Sequence, residues 1–332
     1  MTPTMKMTSK HLAAIGWAST ALSLCLLSAP LKAQDFPIRS IKVIVPYGPG
    51  GVDLQVRAMI PSLSKALGQS VVIENKEGGG ATVGTLAVKN AAPDGYTLLF
   101  TGTSALAVVP HLRKNVGFSI DDFAAIGNAT STPLVVATRI DTPYTTLQEL
   151  IAYARANPGK VNMGTAGIGT STHMAGESFQ IAADISFTHI PYRGVGAATQ
   201  AILGGNSDIV FGLPGVVAPH VLTGKMRVLA SMGTKRSEFF PNQPTLLESG
   251  YSVTEITRFG FFAPKNTPTA IQTKWINAVA LAARDPDFIT SMHAASTTVL
   301  YLTPAELKTA VDEESAYWNK TLKNPRLSSL AE

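Results

Sequence analysis

Two glycine-rich stretches carry the residue types best suited to gripping an anion. The first is Tyr47-Gly48-Pro49-Gly50-Gly51-Val52-Asp53, and the second is Thr165-Ala166-Gly167-Ile168-Gly169-Thr170-Ser171-Thr172-His173. Each follows a short apolar run and precedes a helical pattern. At such a junction the first helical amides have no intrahelical partner and carry partial positive charge, so a carboxylate or phosphate is attracted there. Glycine lets the backbone come close to it. One such loop could be no more than a tight turn. Two loops, one from each half of the chain and both at the C-terminal ends of parallel strands, stand where open α/β sheets hold their ligands.

The other constellations are weaker. Gly78-Gly79-Gly80 with Gly84 could be read as a dinucleotide fingerprint, but Glu74 and Glu77 would repel a pyrophosphate. The next strand ends Leu99-Phe100-Thr101, without the acid that a ribose wants. His173 and Glu177 share one helical face, yet two ligands fall short of the three or four a metal needs. No Gly-x-Ser-x-Gly elbow occurs, and nothing in the spacing activates Ser104, Ser131 or Ser171 as a nucleophile. The expectation is a protein without catalytic residues, metal or cofactor. Arg258 stands among Phe259, Phe261 and Phe262, so its charge must reach solvent, a protein carboxylate or a ligand. With Tyr47, Ser104, Ser131 and Phe211 it is a candidate for the wall that sets specificity.

The elements that position these residues alternate. Strands are expected at Ile41 to Pro46, Val71 to Glu74 and Tyr96 to Thr101. Between them lie a helix capped by Asp53 and ending near Gly68, and a helix reaching about Asn90. That is the opening of a parallel sheet with crossover helices. A second α/β layer system follows, with strands at Leu134 to Thr138, Val161 to Gly164, Phe187 to Ile190, Asp208 to Phe211 and Arg227 to Ala230. Thr146-Leu-Gln-Glu149 reads as a capping box. The helix from Ser171 or Thr172 should bury Met174, Ala175, Phe179 and Ala182. After the apolar run Ile256 to Pro264 the chain becomes helical. Thr267-Pro268 and Thr303-Pro304-Ala305-Glu306 mark helix starts. Three C-terminal helices need a sheet to pack on, and the first is the economical choice. Domain 1 is then residues 34–130 plus 259–332, domain 2 is 131–258, and two strands cross between them.

The 332 residues suit two domains at roughly 150 each, and 45% hydrophobic against 15% charged residues excludes a disordered chain. Net charge is +5, but Lys6, Lys10 and Lys32 lie in an opening stretch without acids, and residues 34–332 carry only +2. No nucleic-acid footprint follows. Lys6 and Lys10, the uncharged run Leu12 to Ala29 and Lys32-Ala33 have the layout of a secretory signal peptide over residues 1–33, cleaved after Ala33. The single cysteine, Cys25, falls inside it, so the exported chain has no thiol for a disulfide, a metal or a nucleophile.

Read in order, Ile41-Lys-Val-Ile-Val-Pro-Tyr-Gly-Pro-Gly-Gly51, Ala92-Pro-Asp-Gly-Tyr-Thr-Leu-Leu99, Gly164-Thr-Ala-Gly-Ile-Gly-Thr170 with His173-Met-Ala-Gly-Glu177, His189-Ile-Pro-Tyr-Arg-Gly194 and Phe261-Phe-Ala-Pro264 resemble the Bug family. These are the extracytoplasmic solute-binding proteins of tripartite tricarboxylate transporters. The resemblance runs from about Phe36 to Lys323. It implies a type II periplasmic binding-protein clamshell, monomeric and periplasmic, that holds a small carboxylate without chemistry and serves membrane permease subunits. It also implies that Tyr47 to Asp53 and Gly164 to His173 pin the carboxylate. Two departures bear on the ligand. One residue, Val52, separates the glycine pair from Asp53 where relatives commonly have two. Arg258 and Gly212 replace an aromatic and an Asp or Asn, which favours a ligand with a second anionic group. A sensor that presents its ligand to a partner shares this fold, and an exported α/β hydrolase would need a nucleophile and base brought together by folding.

Overall fold

A computed structural model describes residues 36–327 and 330; the signal-peptide reading, Cys25 and the Ala33 cleavage point lie outside the described residues. From Arg39 onward the chain clusters as one unit, built on two sheets. The first opens as the sequence predicts. Strand β1 (Ile41–Val45) runs parallel to β2 (Val71–Asn75) and to β3 (Thr97–Gly102), with helices α1 (Val52–Leu67) and α2 (Thr82–Lys89) as crossovers. Ile41, Val43 and Val45 are buried on one face and Ile44 on the other, so the end of the run shows no alternation, while Lys42 at its edge is exposed. α1 ends on Gly68 in the left-handed conformation, a turn that residues with a Cβ resist.

Two short helices, α3 (Ser104–Ala107) and α4 (Val109–Leu112), precede the 11-residue strand β4 (Phe123–Pro133), none of which the sequence pattern announces. β4 reads Phe-Ala-Ala-Ile-Gly-Asn-Ala-Thr-Ser-Thr-Pro, with little strand propensity of its own. It is extended because it pairs on both edges, with β10 (Ile256–Pro264) and with the short β11 (Val299–Leu302). Tertiary pairing overrides propensity here. The finished sheet has the order β11-β4-β10-β3-β1-β2, antiparallel on the β10 side.

Beyond β4 the chain enters the second sheet, β7-β6-β8-β5-β9. Its strands are β5 (Val135–Arg139), β6 (Asn162–Thr165), β7 (Thr188–Pro191), β8 (Ile209–Gly212) and β9 (Met226–Ser231). β6 is parallel to β7 and β8, whereas β5 runs antiparallel to β8 and β9. Its helices are α5 (Leu147–Ala156), α6 (Ser171–Ala183), α7 (Val195–Leu203) and α8 (Pro214–Leu222). The chain returns to the first sheet through β10. There α9 (Thr269–Ala282) and α11 (Pro304–Thr321) pack on β4, while α10 (Pro286–Ala294) lies against α1. Trp275 of α9 is fully buried and donates its indole N–H to Gly95 O at 3.0 Å, tying the C-terminal helices to the turn before β3. The C-terminal return to the first sheet is therefore observed. The cuts expected at 130/131 and 258/259 fall within β4 and β10.

Three local expectations need correction. α1 starts at Val52 with Gly51 as its cap, so Asp53 is the second helical residue and not the N-cap. α9 starts at Thr269 after Pro268, and Thr267 donates its hydroxyl to Pro264 O instead of capping. On α6 it is Ala183, not Ala182, that is buried, because the helix lays Met174, Ala175 and Phe179 inward and turns residue 182 to solvent. The Thr146 cap holds at 3.2 Å, but the Glu149 carboxylate reaches the Thr145 N–H.

Candidate functional site

The two glycine loops border one hollow. Gly48 N–H donates to Arg193 O at 2.9 Å, and a Cβ added to Gly196 on α7 would stand 2.5 Å from Gly50 O. A Cβ on Gly80 would strike Ile168 O of the second loop. These are contacts between the first sheet's loops and the second's, backbone against backbone, and they leave a hollow where the two helix N-termini face each other. It is lined by Tyr47, Val52 and Phe259 from one side and by Ala166, Thr170, Ser171, Thr172, Val195 and Leu213 from the other. Its free interior is about 20 Å³, room for one water. A dicarboxylate does not fit that volume as it stands.

Most amides expected to face a ligand are already spent on protein acceptors. In the first loop Gly50 N–H donates to Asp53 Oδ1 at 2.7 Å, and Asp53, 2% exposed, is paired through Oδ2 with Arg57 at 3.1 Å. In the second, Ala166 N–H goes to Thr172 Oγ1 at 2.8 Å, Gly167 N–H to Thr165 Oγ1 at 3.2 Å and Gly169 N–H to His173 Nδ1 at 3.2 Å. Gly167 (φ +121°) and Gly169 (φ +81°) hold conformations that only glycine adopts cheaply. The donors that remain by helix geometry are those of the opening turns, at Val52 and Asp53 on α1 and at Ser171 and Thr172 on α6. Neither helix has a side-chain cap in its N-terminal amides. The glycines shape the site, and the helix starts face into it.

The candidate wall is dispersed. Tyr47 lines the hollow, its buried hydroxyl 3.2 Å from Thr101 Oγ1; burial pushes its pKa up, keeping it a neutral phenol. Ser104 instead donates to Glu314 Oε1 at 2.6 Å. Arg258 is half-buried in a separate hollow between α6 and α11, which it shares with Glu255 and Glu314. Burial raises both carboxyls; the Glu314 charge raises Glu255 further, while Arg258 opposes both shifts. The Arg258 Nη1 makes one long 3.5 Å bond to Ile256 O. Ser131 lines a third depression, with Pro214, Lys235 and Glu238. Phe211 is fully buried against Phe179, ring centroids 6.0 Å apart. His173 is fully buried behind the second loop, 3.5 Å from Glu177, and no group of three metal-ligating side chains occurs among the described residues. Pro49 is exposed at the tip of the first loop.

The sequence reading passed over Val195, Leu213 and Phe259, which complete the hollow. Val195 and Leu213 are brought beside the second loop by the packing of the second sheet, where α7 lies on β6 and β8.

With this geometry in hand, the comparisons agree. The model of the tripartite tricarboxylate transporter family receptor matches residues 55–327. BugT of Bordetella pertussis is 33% identical over 298 residues, covering 88% of this chain and 91% of BugT. Among solved structures, the periplasmic binding protein BugD superposes with a TM-score of 0.83 at 31% identity, over 87% of this chain and 98% of BugD. MatC from Rhodopseudomonas palustris with bound malate gives 0.80 at 27%, over 86% and 100%.

Proposed function

Since the chain belongs to the tripartite tricarboxylate transporter receptor family, we propose that it captures a small carboxylate between its lobes, in the periplasm, and passes it to the membrane permease subunits of such a transporter. The observation that carries this reading is the meeting of two uncapped helix N-termini, α1 and α6, from opposite sheets at one hollow. One helix start contributes about 0.3–1 kcal/mol to an exposed anion and up to ~2 when partly buried. Two starts aimed at one carboxylate, with water excluded, favour the closed lobes whenever the ligand is present. The ligand then shifts an open–closed equilibrium by its differential affinity. Residues 34–130 with 259–332, and 131–258, move as the two bodies.

Receptor relatives point to binding without turnover, and the hydroxyl of Ser104 is committed to Glu314 and not to a histidine. The protein acts as a monomer that docks on its permease. A thermal-shift screen followed by calorimetry tests the reading, with a panel of C4 to C6 dicarboxylates, tricarboxylates, amino acids and aromatic acids. At least one carboxylate should raise the melting temperature by several degrees. A flat response across the panel, or binding undiminished when Ser171 and Thr172 are replaced by proline and valine, counts against it.

A further inference from the structure

Behind the second loop, outside the hollow itself, two imidazoles lie face to face. The rings of His173 and His189 are stacked with centroids 4.0 Å apart at 19°. Each reaches one glycine of the loop. His173 Nδ1 accepts Gly169 N–H directly, whereas His189 Nε2 is 2.7 Å from Thr165 Oγ1, the atom that accepts Gly167 N–H. His173 and Thr165 are fully buried and His189 half-buried.

The Gly169 contact fixes one proton. A nitrogen that accepts an N–H carries no proton, so a neutral His173 ring has its proton on Nε2, which faces Glu177 Oε1 at 3.5 Å. The 2.7 Å contact between Thr165 Oγ1 and His189 Nε2 admits either atom as donor; with Thr165 accepting from Gly167 and giving its own proton to His189, the His189 proton sits on Nδ1.

We propose that the His173–His189 stack is a positioning device which, through these two tautomers, holds the second glycine loop in its ligand-facing shape. It rests on the binding reading above and concerns how the receiving loop is kept ready. The groups that face the pair are Glu177 from α6 and Thr165 from β6, besides the rings themselves. Charging either ring places a positive charge against its neighbour 4.0 Å away, and a proton on His173 Nδ1 displaces Gly169 N–H. Consistent with this, burial and the adjacent His173 hold His189 down to about 3. The unfolded chain titrates at about 6.5, so it takes up protons first. This contribution to stability is complete above about pH 6.5 and is lost as pH falls toward 3.

Nitrogen-15 spectra of histidine-labelled protein test the inference without any ligand. His173 should show the Nε2–H tautomer and His189 the Nδ1–H tautomer, with His189 still neutral at pH 5. An ordinary titration near 6.5 at His189, or Nδ1–H on His173, overturns it. The second arm follows hydrogen exchange at the Gly169 amide and the affinity for the tightest-binding carboxylate of the panel. His173→Phe should speed exchange and weaken binding about tenfold, the scale of one unpaired buried donor. His173→Asn, whose amide oxygen can replace Nδ1, should recover most of both. Equal losses in the two variants reduce His173 to a packing role and sink the proposal. If no carboxylate of the panel binds the unaltered protein, the functional reading fails while the spectra and Gly169 exchange still decide this one.

Discussion

The two glycine loops have similar composition and are held by opposite means. The first borrows its support: Gly50 N–H hangs on the charged Asp53–Arg57 pair, and Gly48 N–H is taken by a carbonyl of the other lobe. The second supplies its own, from the hydroxyls of Thr165 and Thr172 and the neutral ring of His173. The second loop's shape is therefore held from within its own lobe, whereas part of the first is held by a bond across to the other sheet. If the lobes part as proposed, the second loop keeps its bonds and the first loses the one to Arg193.

The comparison can be broken most severely at Gly196. This residue lies in α7 with ordinary helical backbone, so alanine there should raise the stability of its own lobe by up to about 1 kcal/mol. Its methyl would meet Gly50 O, however, and hold the first loop away. Gly196→Ala should weaken carboxylate binding by about 100-fold or more, since closure itself is opposed, with an unchanged or higher melting temperature. Unaltered affinity would show that the first loop is dispensable. A smaller effect is expected at Asp53. Asp53→Ala strands the Gly50 amide and frees Arg57, costing about 1–3 kcal/mol in denaturant unfolding, while Asp53→Asn, which keeps an acceptor, should cost less. The smallest is at the Arg193–Glu77 pair, 3.2 Å apart with the arginine 77% exposed. Arg193→Ala should change affinity by no more than about twofold, with that difference vanishing in 0.5 M salt, because exposed pairs contribute little and are screened. A large loss there would mean that closure is latched by side chains and not by the Gly48 backbone bond.

Much of the frame was legible in the chain itself. Apolar runs located nine of the eleven strands, all but β4 and β11, and the Thr303 capping box marked the start of α11 to the residue. β4 was not legible, since its small and hydroxyl residues become a strand only when β10 and β11 lie beside them. The two loops were legible as anion-facing turns, but which of their amides stay free was not. That depends on where the Thr172, Thr165 and His173 side chains point, and in the first loop on a carbonyl 145 residues away in the chain. Asp53 illustrates the ambiguity: an acid at a helix start serves equally as cap or as second residue reaching back. Arg258 did reach the neighbourhood of protein carboxylates, one of the three outcomes its charge allowed.

β4 and β10 pair with each other from Phe123↔Pro264 to Pro133↔Ile256, interrupted by irregularities at Phe259/Gly260 and Phe261/Phe262. Both links between the sheets therefore travel as one ribbon. In the proposed capture, a paired ribbon would bend across its flat face more easily than it would shear along its rungs, confining the swing of the lobes to one arc instead of leaving them on two loose cords.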